Sequence, residues 1–503
     1  MKNITIVGGG SAGWMTAATL IKAFPNKKIT VIESPDISTV GVGESTIGGI
    51  RNWTNFVGIH DQNFLSSTDG IYKLSIRFQD FYKKGTYFHY PFGQPITREN
   101  DWWYKKFMNP KLSNSDYADC MFPQMAFINK NKLSYNNFKV QPFNFNTDTA
   151  YHFDATKFAI WLRDNLCIPQ GVKHIKENIK SIEQNEDGIK SLNKKHKADL
   201  FIDCTGFKSL LLGETLKEPF ESYSNLLPND SAWATKIPYK NKRKELVPYT
   251  NCTAIENGWV WNIPLWSKIG TGYVYSSKFI DDETALKQLQ KHLGTKDLDF
   301  KNVKMRVGIH KRLWVKNVAA IGLSAGFIEP LESNGLYSVH EFLFALIRNL
   351  EREHISQWDK DNFTFECKSS FKNFAEFVAL HYALTQRTDT EYWKNNFNKT
   401  WEEKLYTLDP SNTRGLFKYV SEKTFQYFYD QTGGSHAISA GMNWPPTTLN
   451  SIKWITGLNK EALHDNFWKD RIEALDNRKK VWEKAVSKDL SFYDFMIKNI
   501  YQK

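Results

Sequence analysis

The chain opens with a short apolar run, Asn3-Ile-Thr-Ile-Val7, that meets Gly8-Gly-Gly-Ser-Ala-Gly13 directly. A run of this length bounded by glycines predicts a buried strand. Apolar residues then recur at helical spacing from Trp14 onward, which predicts a helix to about Ala23, and Lys28 to Ile32 reads as a second strand ending at Glu33. Tyr72 to Phe78 alternates with period two. Tyr72, Leu74, Ile76 and Phe78 fall on one face and Lys73, Ser75 and Arg77 on the other, so the segment by itself predicts one half-exposed strand. Leu200 to Ile202, Gly258 to Ile263 and Gly272 to Tyr275 are further strand candidates. From Glu341 the texture changes to amphipathic helices rich in Phe, Trp, Lys and Glu, broken near Asp409-Pro410 and Asn443-Trp-Pro-Pro446.

The strand-turn-helix-strand order puts the glycines where a dinucleotide needs them. They permit a tight turn, close approach of backbone to a pyrophosphate, and close packing of the helix. Gly8, Gly10, Ser11, Ala12 and Gly13 are the candidate contacts, and Glu33, 20 residues beyond Gly13, can accept hydrogen bonds from the ribose hydroxyls of an adenosine moiety. Two more strand-and-turn segments, Ala198 to Gly206 and Val318 to Gly326, exceed what one Rossmann unit needs and indicate FAD rather than NAD, adding Gly322 and Gly326 to the cofactor set. The second turn precedes Glu329-Pro-Leu-Glu-Ser-Asn-Gly335 and then a helix, whose first backbone amides can face an anion or the flavin edge. The fold class expected is α/β with α+β elaboration. It is a Rossmann-like FAD-binding fold of the flavin monooxygenase type with an inserted sheet and a mainly helical C-terminal region. Residues 1–350 would form the FAD-binding module with its inserted sheet segments. Residues 351–503 would form the helical part, which lacks a flexible linker and should pack over the substrate pocket.

Composition narrows the class. The formal charge is +12 over 503 residues, but the lysines are scattered, and Lys240-Asn-Lys-Arg-Lys244 and Lys194-Lys195 read as solvated loops, so nucleic acid is not an expected partner. Steering of anions such as flavin phosphates is a sufficient use of the positive potential. Five widely spaced cysteines without a CxxC pair suggest neither a disulfide framework nor a metal site. No secretory signal or membrane-length apolar run is visible, so a cytoplasmic protein is expected. The 17 tryptophans and 35 phenylalanines can fill a core or line an aromatic pocket.

Several strings together resemble the flavin-dependent halogenases, best known from the tryptophan halogenases. They are Gly8-Gly-Gly-Ser-Ala-Gly-Trp14, Gly41-Val-Gly-Glu-Ser-Thr46, Tyr72 to Phe78, Phe92-Gly93, His152-Phe-Asp154, Gly258-Trp-Val-Trp-Asn-Ile-Pro264, Gly270 to Ser277 and Glu329-Pro-Leu-Glu-Ser333. The Gly-Trp-x-Trp-x-Ile-Pro string is the most specific. The resemblance implies that reduced FAD from a separate flavin reductase, oxygen and a halide (chloride, bromide or iodide) yield hypohalous acid. This halogenates an electron-rich aromatic such as an indole or phenol.

The same resemblance adds Gly43 and Ser45 to the cofactor set and makes Lys73 the catalytic lysine, Glu332 its partner carboxylate and Ser333 the neighbouring hydroxyl. An amine beside an aromatic pocket can hydrogen-bond hypohalous acid or form a haloamine. A facing carboxylate can take the proton released on rearomatisation. As plain structure, Glu332, Ser333 and Asn334 would cap the following helix. Phe92, with Tyr90 and Trp102 or Trp103, resembles the aromatic wall around the substrate. Trp259 and Trp261 resemble the signature pair, and Pro330, Asn334 and Gly335 stand at the implied substrate and halide site. Two departures matter. The tyrosine-rich segment that grips free tryptophan is not matched by Arg414, Tyr419, Tyr427 and Tyr429, and Asn334 stands where tryptophan halogenases carry threonine. An aromatic monooxygenase and an FAD-fold RNA-binding protein are the alternative readings, and homo-oligomerisation is left open.

Overall fold

The computed structural model describes residues 1–36, 43–96, 98–135, 138–352, 354–398, 434–445, 449–450, 452 and 465–502. The N-terminal expectation holds closely: β1 (Asn3–Val7), α1 (Ser11–Ala23) and β2 (Lys28–Glu33) follow in order. β1 lies between β2 and Leu200–Asp203 in a six-stranded sheet that continues through Val318–Ala320 to Trp314–Val315 on one side and to Lys173–Lys176 on the other. All its pairings are parallel except the edge pair formed by Trp314–Val315 and Val318–Ala320. Ile4, Ile6, Val31, Leu200, Phe201 and Ile202 are all buried, because helices and loops cover both faces of a parallel sheet.

The inserted part carries β3 (Glu44–Ser45), β4 (Ile71–Lys73), β5 (Ser75–Gln79), β6 (Tyr87–Pro91) and β7 (Ala150–Phe153). Here the single strand expected over Tyr72 to Phe78 is corrected. The chain divides at Leu74, whose N–H donates to Pro248 O. β4 joins a three-stranded sheet with β7 and β3, and β5 joins a seven-stranded, largely antiparallel sheet. Because both sheets are covered, Lys73 and Ser75 are fully buried rather than half-exposed. In the larger sheet β6 and β5 are followed by Tyr249–Ile255, Gly258–Pro264, Ile269–Tyr275, Ser231–Ile237 and Lys301–Lys304. The register sets Trp261 opposite Gly272, where a Cβ would lie 2.2 Å from the indole.

Two helices complete the site. α2 (Gly335–Leu350) begins at the end of the Glu329-to-Asn334 loop, six residues ahead of the change in sequence texture, and packs on α1 and on α3 (Gln357–Ala383). A Ser356/Asp359 capping box starts α3. The helix Asp465–Ala485 packs against Glu99–Met108, Asp116–Met121 and Met125–Lys130. Trp102 belongs to this contact. Its Nε1 donates to Asp116 at 3.0 Å, and its ring meets Trp103 and Tyr117 edge-on. All five cysteines are buried thiols. No helix among the described residues is long and apolar enough to cross a membrane.

Candidate active site

A cavity of about 830 Å³ opens along the carboxyl end of β1. Of the residues expected at the cofactor, Gly8, Gly10, Ser11, Ala12, Glu33, Gly43, Ser45, Gly322 and Gly326 line it, and so do Trp259, Trp261, Pro330, Ser333, Asn334 and Gly335. Gly13 stands behind the wall, where a Cβ would sit 1.9 Å from Gly8 O, so the close approach of helix to turn needs glycine there. At Gly10 a Cβ would meet nothing within 4 Å. The start of α1 has no side-chain cap, and its amides open on the cavity. Glu33 Oε2 pairs with His174 Nε2 at 2.8 Å, which holds the carboxylate at the cavity rim. A turn that is tight at Gly8 and Gly13, open at Gly10 and followed by an acid fits a dinucleotide pyrophosphate and ribose.

Neither Lys73 nor Glu332 lines this cavity; Lys73 lies one hydrogen bond beyond it through Ser333, and Glu332 is the buried residue that precedes Ser333 in the chain. Lys73 Nζ donates to Ser333 Oγ and to Thr46 O, both at 2.9 Å, and sits 4.9 Å from the Phe92 ring centre. Burial pulls the ammonium down from 10.5 to about 7, against the opposing pull of the neighbouring Cys252, Glu332 and Glu44. Burial also raises the carboxyls of Glu44, to about 7, and of Glu332. The helix-cap reading of Glu332, Ser333 and Asn334 is corrected, since no side chain caps α2. Ser333, left-handed at φ 58°, turns its hydroxyl to Lys73, while Asn334 Nδ2 reaches back to Ile328 O at 3.4 Å.

Several residues that the sequence did not single out complete the surroundings. His381 Nε2, from α3, stands 3.0 Å from Glu332 Oε1 in a bent contact short of hydrogen-bond geometry. Glu329 Oε2 accepts from Trp259 Nε1, Asn229 Nδ2 and Tyr382 Oη, each at 2.8 Å, and so ties the signature tryptophan to the loop before α2. Only its place in the Glu329-Pro-Leu-Glu332 string signalled Glu329. Trp259 and Trp261 meet edge-on at 6.2 Å. Tyr90 and Phe92 meet at 6.0 Å and Phe377 flanks Tyr90, whereas Trp102 and Trp103 belong to the separate aromatic cluster described above. Arg414, Tyr419, Tyr427 and Tyr429 lie outside the described residues.

A family model described as tryptophan halogenase matches residues 3–450. The tryptophan 6-halogenase SttH of Streptomyces toxytricini is 35% identical over 78% of this chain and 80% of its own length. Among solved structures, the VirX1 apo structure superimposes with a TM-score of 0.90 at 35% identity over the full length of both chains. BrvH, a flavin-dependent halogenase from Brevundimonas sp. BAL3, gives a TM-score of 0.85 at 28% identity over 99% of both. A Rossmann-type flavin fold with a buried lysine beside the cofactor cavity is that of a flavin-dependent halogenase. The chain belongs to the tryptophan halogenase family, whose enzymes use FADH2 and halide, draw reduced flavin from a separate reductase and act on aromatic substrates.

Proposed function

We propose that this enzyme halogenates an electron-rich indole- or phenol-like compound, with Lys73 delivering the halogen and Glu332 taking the ring proton. The observation that carries this reading is the buried Lys73 Nζ, held between Ser333 and Phe92 just beyond the cavity wall. Reduced FAD, when bound along Gly8 to Gly13, Glu33, Gly43, Ser45, Gly322 and Gly326, supplies hypohalous acid with oxygen and halide. Pro330, Ser333, Asn334 and Gly335 would hold the halide at the start of α2, and Trp259 and Trp261 would wall the flavin side. Near neutral pH the Lys73 amine exchanges between a proton donor and a lone-pair nucleophile, and either form can fix the halogen over one ring carbon. Phe92 and Tyr90 would pack the aromatic face. The helical region beyond residue 350 would close the pocket, a reading supported by the contact of Phe377 with Tyr90. Mass spectrometry of an aromatic panel incubated with enzyme, flavin reductase, oxygen and bromide tests the reading. Halogen isotope doublets are expected, and halogen-free hydroxylated products would replace it with monooxygenase chemistry.

Two outcomes follow for specificity. Indole, simple phenols or anilines should exceed free tryptophan in kcat/KM, because the tyrosine-rich segment that grips the amino-acid end has no match in this sequence, and without such groups the desolvation of ammonium and carboxylate is not offset. A large preference for tryptophan in direct competition would refute this. With Asn334 in place of threonine at the start of α2, bromide and iodide should be used more readily than chloride, since chloride is the most strongly hydrated and hardest to oxidise of the three. Product yields at equal halide concentration measure this, and Asn334→Thr should shift the balance toward chloride.

A further inference from the structure

Lys73 is one end of a continuous buried hydrogen-bond chain whose other end is a histidine. Lys73 Nζ meets Ser333 Oγ at 2.9 Å, Ser333 Oγ meets Ser45 Oγ at 2.9 Å, Ser45 Oγ meets Thr250 Oγ1 at 2.7 Å, and Thr250 Oγ1 meets His152 Nε2 at 2.8 Å. His152 Nδ1 lies 3.0 Å from Pro264 O. All five side chains are buried. They come from β4, the loop before α2, β3, the strand Tyr249–Ile255 and β7, and the β3–β7 register sets Ser45 directly opposite His152.

The two ends fix the direction of the chain. A carbonyl only accepts, so Nδ1 of His152 carries its proton and Nε2 of the neutral ring accepts from Thr250. An ammonium only donates, so Ser333 accepts from Lys73. The three hydroxyls therefore point one way, from lysine to histidine.

We propose that this chain is a proton relay in which His152 is the positioning residue that transiently accepts the proton leaving Lys73; the proposal rests on the reading of Lys73 as the halogen-delivering residue. In the transfer an N–H bond of Lys73 breaks as Ser333 Oγ takes the proton. Ser333 passes its own hydroxyl proton to Ser45, Ser45 to Thr250, and Thr250 to His152 Nε2. No electrons move between groups. One positive charge passes from the amine to the imidazole, and Nζ keeps a lone pair with which to hold the halogen. Burial and the Lys73 charge hold His152 well below its ordinary value, so the proton reaches it uphill and only transiently, and the part of that penalty due to the Lys73 charge falls away as the amine becomes neutral. Glu44, Cys252 and Glu332 also face Lys73, and His152 is faced by Lys73. None of the variants below alters those three.

His152→Gln keeps an acceptor for Thr250 but no base, Thr250→Val breaks the chain at its middle with little change of shape, and Thr250→Ser restores the hydroxyl. Halogenation of indole is followed from pH 6 to 9.5 together with flavin content, FADH2 oxidation and hypohalous acid release. His152→Gln and Thr250→Val should lose about tenfold near pH 7, with the acid limb displaced to higher pH and activity recovering above it, while flavin content and FADH2 oxidation stay at wild-type levels. Thr250→Ser should return the wild-type profile. In wild-type protein, rates in H2O/D2O mixtures should curve, as several protons in flight require. Wild-type pH profiles in flavin-loaded His152→Gln or Thr250→Val, or a linear isotope dependence in wild type, would overturn the relay. Lys73→Met measured alongside separates the two failures. If it is active, the lysine reading falls. If it is inactive while the relay variants behave as wild type, only the relay falls.

Discussion

Lys73→Met is expected to abolish aryl halogenation, by roughly 10²–10³-fold, while the protein remains folded, flavin-loaded and able to consume FADH2 and oxygen. The methionine keeps most of the apolar stem and removes the group that faces Ser333, Thr46 and Phe92. An exposed strand lysine would do none of this. The same substitution has a signature in stability that does not depend on activity. Between the buried value of about 7 and the ordinary 10.5, the unfolded chain holds a proton on Lys73 that the folded chain has shed. In that window wild-type stability therefore rises with pH relative to Lys73→Met, by up to about 1.4 kcal/mol per pH unit. Glu44 titrates in the folded protein near 7 and from 4.5 when unfolded, so its contribution falls below this window. Urea titrations of both proteins at pH 7.5 and 9 measure the slope. A stability difference that is flat with pH, together with full activity in the variant, would remove Lys73 from the site.

The glycine turn should divide into two behaviours. Gly13→Ala is expected to destabilise the fold by more than about 3 kcal/mol and to yield protein without FAD, because its Cβ would stand 1.9 Å from Gly8 O and neither backbone can retreat. Gly8→Ala meets the same obstacle at Cys204 O, 2.2 Å away, with φ at +117° added. Gly10→Ala, whose Cβ meets no atom of the protein within 4 Å, should fold within about 1 kcal/mol of wild type yet bind FAD at least about tenfold more weakly, because the methyl fills the space a pyrophosphate needs. Thermal melts without flavin and fluorescence titration with FAD separate the two. Wild-type melting and FAD affinity in Gly13→Ala would mean that α1 does not depend on this contact.

The β1-α1-β2 unit was legible because its determinants are local. A buried strand, a glycine turn, a helical apolar period and an acid at the end of the next strand all lie within residues 3 to 33, and each acts on its sequence neighbours. The strands around Trp259 and Trp261, and the loop from Glu329 to Gly335, were legible as strings for the same reason. What failed was inference from periodicity where tertiary structure overrides it. Tyr72 to Phe78 alternates as one half-exposed strand would, but the chain divides at Leu74 between two covered sheets, so Lys73 is buried and its charge becomes costly. Sequence nearness likewise suggested that Trp102 or Trp103 stands beside Phe92. A helix turns its side chains to whatever packs on it, here the aromatic cluster of Tyr117 and Phe107. The sequence by itself determined the kind of cofactor turn and the strings that mark the family, and it named the lysine and carboxylates proposed as the site. Only the tertiary structure decided that residues 45, 73, 152, 250 and 333 form one hydrogen-bonded line, and that His381 faces Glu332. Sheet register and loop return bring those groups together across more than 300 residues of chain, and a pattern confined to neighbours carries no record of which distant side chains will share a low-dielectric interior.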